Sequence, residues 1–175
     1  APAPAPATAG HTKPKHMPSV FFSLRFGLGG AEREANWLRA QLEARGITVY
    51  PAKDGHAVAD RLRDIAEGIM NCDVFVFFGQ RHYGEDTGNP MCSAHEFAMA
   101  REEGKPLAWI NMMGDPPNHK PDDAEVRMAL PGLIYHKWDP AQTEDAAAAE
   151  WVLDKLHILS VDEDDAAEGN NAGAT

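Results

Sequence analysis

The sequence is poor in cysteine, in long apolar runs and in positive charge. Its only two cysteines, Cys72 and Cys92, form neither a disulfide framework nor a metal-ligand spacing, which predicts a reducing, cytoplasmic compartment. No apolar run approaches the roughly 20 residues that cross a bilayer. The Ala-Pro start also lacks the apolar segment of a signal peptide. We therefore predict no membrane partner.

Basic residues are outnumbered. The chain has 16 Lys and Arg against 27 Asp and Glu, a net charge of −11. Many of the acids lie near the C-terminus, but the remaining sequence is acidic too. Such a surface repels phosphate backbones, so we predict no nucleic-acid partner.

Several common ligand-binding motifs are also missing. Gly27, Gly29 and Gly30 follow the first apolar run, but Glu32 occupies the last position of a G-x-G-x-x-G pattern and no GKS or GKT follows. These glycines therefore indicate either a tight turn or a weak phosphate cradle at a helix start. The histidines show no H-E-x-x-H spacing, and we predict no metal site.

The two ends of the chain differ in composition from the middle. Residues 1–17 alternate Ala and Pro before turning polar, and residues 161–175 are acidic and small. Neither segment can bury enough apolar surface to offset the entropy of ordering it, so we predict a disordered linker and a disordered tail. Residues 18–160 are then the folded part, with room for one domain.

Within residues 18–160, apolar runs of strand length alternate with amphipathic stretches. The five predicted strands are SVFFSLRF, ITVYPAK, DVFVFFG, LAWINM and GLIYHKWD. This alternation predicts a flavodoxin-like α/β fold of three layers, a five-stranded parallel sheet in the order 2-1-3-4-5 with helices on both faces. A ligand is expected at the carboxyl ends of the strands, where residues 25–30, 54–58 and 79–89 form loops.

One helix carries a carboxylate on an otherwise apolar face. Asn89 is a good N-cap, Pro90 fits the first helical position, and Gly104 marks the C-terminal end. Glu96 is the one charge on the stripe that helical spacing predicts, formed by Cys92, Ser93, Glu96, Met99 and Ala100. Such an acid is either a half-buried structural group or an active-site residue.

These segments together resemble a TIR (Toll/interleukin-1 receptor-like) domain of the bacterial and algal type. The resemblance covers nearly all of the folded region and is carried by VFFSLRFG, DVFVFFGQRHYG, the helix with Cys92 and Glu96, and MALPGLIYHKWDP. Ser23 and Arg25 match the end of the family's first strand. The resemblance implies the flavodoxin-like fold and, for many members, NAD+ cleavage that depends on the glutamate.

The implied reaction breaks the nicotinamide–ribose bond of NAD+, which is the substrate, and needs no cofactor. Nicotinamide leaves as a neutral base, so one carboxylate that stabilises positive charge on the ribose suffices. Glu96 is the predicted catalytic residue. Cytoplasmic signalling or immunity, with activation by TIR–TIR self-association, is also implied, through a loop containing Asp54, Gly55, His56 and Val58. The predicted substrate-binding residues are Ser23, Arg25, Phe26, Gly27, Gly29, Tyr83 and Ser93.

Two alternatives remain open. Glu96, Ala100 and the Gly104-Lys105-Pro106 run also resemble the E-x-x-x-A-x-x-x-G-K-P pattern of nucleoside 2-deoxyribosyltransferases, whose glutamate is a nucleophile on an N-glycosidic bond. The other alternative is a TIR-like assembly module without turnover. It is favoured by Leu24, which replaces an aromatic residue of the family, and by the absence of a Trp before Cys92.

Overall fold

A computed structural model describes residues 17–27, 30–51, 58–113, 121–139 and 141–169. Most of the predicted linker and residues 54–56 of the predicted self-association loop lie outside this part. The strands are β1 (Ser19–Ser23), β2 (Thr48–Tyr50), β3 (Val74–Gly79), β4 (Leu107–Asn111) and β5 (Tyr135–Lys137). The helices are α1 (Glu32–Glu43), α2 (Val58–Asn71), α3 (Ser93–Glu102), α4 (Ala124–Ala129) and α5 (Ala146–Gly169).

The five strands form one parallel sheet in the order β2-β1-β3-β4-β5. This order confirms the predicted flavodoxin-like fold. The central strand β3 is buried along its whole length, as expected for a strand with helices on both faces. In register, Phe75 of β3 lies between Phe21 of β1 and Leu107 of β4.

Side chains alternate between two hydrophobic clusters on the two faces of the sheet, because successive strand residues point in opposite directions. One face packs against α1 and α5, and its cluster includes Val20, Val76, Leu38 and Val152. The other face packs against α2, α3 and α4, and its cluster includes Phe21, Phe77, Ile69, Phe97 and Val126. Burying each large apolar side chain contributes about 1.5–3 kcal/mol.

Helix α3 begins later than predicted. Its N-cap is Cys92, whereas Asn89 accepts a hydrogen bond from the Met91 N–H through Oδ1 at 3.0 Å. The asparagine side chain thus closes a local turn, a use that competes with helix capping. The predicted end is confirmed, because Gly104 has φ +63° and Lys105 N–H donates to the Ala100 carbonyl at 2.9 Å. Phe97 is buried on the inner face, and Met99 is only partly buried.

Two further differences concern helices. The sequence analysis did not predict α4, although Asp123 caps it by accepting from the Val126 N–H at 2.9 Å. Helix α5 runs on to Gly169, past the predicted domain boundary at 160. In the described part of the chain, no helix has the length and apolar character needed to span a membrane.

Candidate active site

Glu96 lies in the first turn of α3, and its carboxylate reaches the carboxyl end of β1. The residue is 8% exposed, and Ser23 Oγ donates a hydrogen bond to its Oε2 at 2.5 Å. Ser23 is the last residue of β1 and is fully buried. The parallel sheet therefore brings together an acid and a hydroxyl that are 73 positions apart in the chain.

Tyr83 continues this hydrogen-bonded chain. Its hydroxyl donates to Ser23 Oγ at 2.8 Å, so Ser23 uses its own proton for Glu96. Tyr83 follows β3 and is fully buried, with its ring stacked on Phe77 at 5.3 Å between centroids. Phe97 of α3 packs edge-on against the same ring. The tyrosine is thus placed to orient Ser23 and not to stack on a ligand.

Burial dominates the electrostatics of the site. It raises the pKa of Glu96 to about 7, while the hydrogen bond from Ser23 acts in the opposite direction and is the smaller influence. The pKa of Tyr83 is raised well above its usual value, first by burial and further by the charge of Glu96. Among the described residues, no basic side chain forms an ion pair with Glu96. A carboxylate that titrates near neutrality without an ion-pair partner is typical of functional sites.

Glu96 also lines a cavity of about 370 Å³. This volume lies in the lower part of the range of about 300–1,000 Å³ that is common for small-molecule sites. Apolar side chains cover part of the wall: Phe22, Leu24, Phe26, Ile65 and Met91. The polar side chains of the wall, besides Glu96, are Glu32, Asn36, Arg39, Arg61, Asp64 and Asn89.

Arg39 gives the cavity wall a fixed positive charge. Its Nη1 donates to the Val49 carbonyl at 2.6 Å and its Nη2 donates to the Pro51 carbonyl at 2.9 Å. The guanidinium also lies 5.8 Å from the centroid of the Phe22 ring. The sequence analysis missed this residue, although an arginine one turn after Ala35 on the buried face of α1 is the signal that could have found it.

Two other predicted site residues have structural partners. Ser93 is buried, and its Oγ accepts a hydrogen bond from the Gly84 N–H at 3.1 Å, so it holds the loop after β3. Arg25 forms an ion pair with Glu85 at 3.2 Å and does not line the cavity. The structure therefore brings Ser23 and Tyr83 to Glu96 but engages Ser93 and Arg25 elsewhere.

The described residues of the glycine stretch after β1 form hydrogen bonds within the stretch and to the start of α1. Gly30 N–H donates to the Gly27 carbonyl at 2.7 Å, and the Glu32 carboxylate accepts from the Gly27 N–H at 2.7 Å. The Gly27 N–H is thus bonded to an acid of the same chain in this structure. Phe26 lines the cavity and is 72% exposed, whereas Gly29 lies outside the described residues.

The predicted self-association loop is largely beyond what the structure describes. Asp54, Gly55 and His56 lie outside the described residues, and Val58 is the first residue of α2.

No family model matches this chain, and neither does any curated protein. Among solved structures, it is similar to the 2-desoxiribosyltransferase from Leishmania mexicana, with 17% identity over 80% of this chain and 99% of that chain and a TM-score of 0.48. It is also similar to a conserved protein from Enterococcus faecalis V583, with 17% identity over 59% of this chain and 71% of that chain and a TM-score of 0.39.

Neither structure is described as a TIR domain, so these findings correct the sequence analysis. The TIR assignment was wrong, and so were the functions that depended on it: NAD+ cleavage, NAD+ as a partner, TIR–TIR contacts, and roles in signalling and immunity.

Proposed function

We propose that this chain is an enzyme of the nucleoside 2-deoxyribosyltransferase type, which transfers a 2-deoxyribosyl group from one nucleobase to another. Glu96 is the nucleophile. The observation that carries the proposal is its placement: a buried carboxylate on the wall of a cavity, with one oxygen held by Ser23 at 2.5 Å. Among the described residues no other donor contacts the carboxylate, so its second oxygen is available to form a bond.

The chemistry has two balanced steps. In the first, a Glu96 oxygen attacks the anomeric carbon of the nucleoside, and the electrons of the carbon–nitrogen bond leave with the nucleobase, which takes up a proton from solvent. In the second, a nitrogen of another nucleobase attacks the same carbon, the Glu96 carboxylate departs, and the new base loses its proton to solvent. Water in place of the second base gives hydrolysis.

The raised pKa of Glu96 suits this role. A carboxylate with a pKa of about 7 is more basic than an ordinary glutamate, and it is still substantially ionised at neutral pH. The hydrogen bond from Ser23 stabilises the charged form that attacks the sugar. Since no cation among the described residues pairs with the acid, its negative charge remains available to the positive charge that develops on the sugar ring.

The cavity fits a nucleoside in size and polarity. Phe26 offers aromatic surface for a flat base, and Asn36 and Asn89 offer donors and acceptors for sugar hydroxyls. Phe26 is largely exposed, so it can pack against a ligand without disturbing the core.

The residues that match the E-x-x-x-A-x-x-x-G-K-P pattern after Glu96 also support the proposal, because they hold α3 in place. Ala100 is fully buried, Gly104 ends α3 with φ +63°, and Lys105 Nζ donates to the Met70 and Cys72 carbonyls at the end of α2. These contacts fix α3 against α2. The run thus sets the position of the helix that carries the nucleophile.

The direct test is base exchange. Thymidine and free adenine are incubated with the protein, and deoxyadenosine is measured by chromatography. The wild type is expected to form it, and Glu96→Gln is expected to lose at least about 100-fold in rate, because an amide cannot act as the nucleophile and because the electrostatic stabilisation of the sugar, about 3 kcal/mol, is lost as well. Glu102→Gln, at an exposed position of the same helix, is the matched control and is expected to retain the rate.

A trapping experiment identifies the nucleophile. A 2-deoxy-2-fluoro nucleoside slows both steps because fluorine destabilises positive charge on the sugar, and a glycosyl ester then accumulates. Mass spectrometry of a protease digest is expected to find the added sugar on the peptide that contains Glu96. Exchange that persists in a folded Glu96→Gln variant, or a sugar attached to another residue, would show that Glu96 is not the nucleophile.

A further inference from the structure

Three potential metal ligands converge in the segment that leads into α3. Asp86 Oδ1 lies 3.9 Å from Cys92 Sγ and 3.8 Å from His95 Nε2, and the three ligand atoms all lie within 4.8 Å of one another. In a tetrahedral zinc site with bonds of about 2.0–2.3 Å, ligand atoms are about 3.5 Å apart. Small side-chain rotations would therefore bring these atoms to coordinating positions.

We propose that Asp86, Cys92 and His95 form a binding site for Zn²⁺ or a cation of similar preference. A thiolate, an imidazole and a carboxylate are the ligand types that zinc takes, whereas Mg²⁺ and Ca²⁺ require oxygen ligands. The thiolate and the carboxylate together balance the charge of a divalent cation. Three protein ligands leave the fourth position to water. This inference does not depend on the proposed transferase reaction.

The local structure already orients the ligands. Asp86 Oδ1 accepts a hydrogen bond from the Gly88 N–H at 2.8 Å, which holds the carboxylate toward the helix start. Cys92 is 9% exposed, and its carbonyl accepts from the His95 N–H at 3.1 Å, so these two ligands are one helical turn apart. The His95 side chain is 53% exposed, so its ring can turn toward a cation without repacking the core.

A second cluster nearby serves as a comparison. His82 Nδ1 lies 2.6 Å from Glu85 Oε1 and 3.9 Å from Asp122 Oδ2. However, Glu85 pairs with Arg25 at 3.2 Å and Asp122 pairs with Arg81 at 3.2 Å. A cation would have to displace both guanidinium groups, and this cluster offers no thiolate. The first cluster is therefore the better site, and His82 is a matched control for His95.

A cation held there would act on the cavity as well. Asn89 and Met91 lie between the ligands in the chain, and both line the cavity beside Glu96. Binding would tie Asp86 to the first turn of α3 and fix this stretch of wall. We therefore assign the site a positioning role, in which the metal stabilises the loop and touches no substrate. No metal site was predicted from the sequence, because the histidines show no H-E-x-x-H spacing and the two cysteines show no metal-ligand spacing.

Cobalt is a direct probe, because a thiolate bound to Co²⁺ gives a charge-transfer absorption in the near ultraviolet and zinc does not. The 175-residue chain is titrated with Co²⁺ under reducing conditions. We expect this band to saturate at one equivalent and to disappear when Zn²⁺ is added. The other cysteine contributes little, since burial raises the pKa of the Cys72 thiol to about 11. Metal held by acidic side chains elsewhere gives no thiolate band.

Three variants complete the test. Cys92→Ser is expected to abolish the band, and His95→Ala is expected to weaken Co²⁺ binding at least tenfold, whereas His82→Ala binds as tightly as the wild type. Because His95 is exposed, its variant remains informative even if Cys92→Ser folds poorly, and circular dichroism checks the fold of each. Any of three results would overturn the proposal. The band survives in Cys92→Ser, the two histidine variants weaken Co²⁺ binding equally, or the folded wild type shows no band at millimolar Co²⁺.

Discussion

At the scale of single residues, Ser23 stabilises the charged form of Glu96 against the effect of burial. Its hydroxyl is the one donor that contacts the acid among the described residues, and burial alone would push the pKa of Glu96 higher still. The Tyr83 hydroxyl donates to the Ser23 oxygen, so the Ser23 proton points toward the carboxylate. A buried hydroxyl with two fixed partners has little rotational freedom, which keeps the acid in one orientation.

Replacement of Ser23 by Ala removes this hydrogen bond and is expected to raise the pKa of Glu96 further. The midpoint of the pH–rate profile for base exchange then moves to higher pH. At neutral pH the rate falls roughly tenfold, because a hydrogen bond to a charged group contributes about 1.5 kcal/mol. KM for the nucleoside changes little, since Ser23 does not line the cavity.

Ser93→Ala is the matched control for this prediction. Ser93 lies on the same helix as Glu96 and is equally buried, but it binds the Gly84 N–H. Its loss is expected to lower stability without moving the pH midpoint. Tyr83→Phe is expected to shift the pH midpoint by an intermediate amount, because loss of the tyrosine hydroxyl frees the Ser23 hydroxyl to rotate. Side-chain carboxyl NMR reads the same titration without an activity assay, and identical midpoints in Ser23→Ala and Ser93→Ala would contradict the role of Ser23.

At the scale of elements, the ends of α3 show what a sequence can and cannot specify. The C-terminal end was predicted correctly, because only Gly104 can adopt the left-handed conformation there without strain. The start was predicted three residues too early. Asn89 and Pro90 are favourable for a helix start, but the Asn89 side chain instead closes a turn with Met91. Local propensity cannot distinguish these two uses of one asparagine.

The sheet order follows from apolar periodicity and was predicted correctly. Helix α4 was not, because its six residues offer only one fully buried apolar side chain, Val126. At the candidate site, Glu96 was found as the one charge on an apolar face. Its hydrogen bond from Ser23 depends on the depth at which α3 crosses the sheet, which no local pattern encodes. The roles of Ser93 and Tyr83 were open for the same reason.

The contact between β3 and β4 gives a prediction about stability. A Cβ at Gly79 would clash with Nε1 of Trp109, whose ring is buried and stacked on Phe77. We expect Gly79→Ala to lower the free energy of unfolding by about 1–3 kcal/mol, because overpacking forces the ring or the strand to move. Urea denaturation measures the change.

A double-mutant cycle separates this clash from the general effect of adding a methyl group. Trp109→Phe removes the indole nitrogen that Gly79 faces, so Gly79→Ala should cost less in that background. Gly46→Ala is the control: it sits at φ +81° with no atom within 4 Å of its Cβ. Its cost comes from backbone strain and should add independently to that of Trp109→Phe. Equal coupling of both glycines to Trp109 would refute the packing argument.

At the scale of the whole molecule, the sequence predicted the fold and not the chemistry. The strand order depends on apolar patterning spread over the chain, whereas the reaction depends on a few side chains whose mutual placement is set by packing. A glutamate early in a helix after β3 is compatible with several N-glycosidic reactions. The resemblance to TIR domains was therefore a resemblance in element order and in short motifs, and it did not carry the function.

Glu96 also makes global stability depend on pH. Its pKa is about 7 in the folded chain, against a usual value of 4.5, so the folded state binds more protons between these values. Its contribution to stability is thus complete below about pH 4.5 and is lost as the pH rises through 7. Glu96→Gln cannot titrate, and above pH 7 it should be more stable than the wild type by on the order of 3 kcal/mol.

Urea denaturation at about pH 5 and at about pH 8 measures this difference. The gap between Glu96→Gln and the wild type should be small at the lower pH and largest at the higher one. Glu102→Gln, exposed on the same helix, should show no such gap. If Glu96→Gln is less stable than the wild type at pH 8, the ionised carboxylate stabilises the fold. That result would contradict the prediction.

The site lies near the middle of the sheet, and this position determines how long its geometry lasts. Ser23, Tyr83 and Glu96 belong to β1, to the loop after β3 and to α3, which pack around the middle of the sheet. The edge strands β2 and β5 have three residues each, and they should open locally and exchange their amide protons first. Such openings leave β1 and β3 paired. The geometry around Glu96 therefore survives partial opening and disappears only when the molecule unfolds globally.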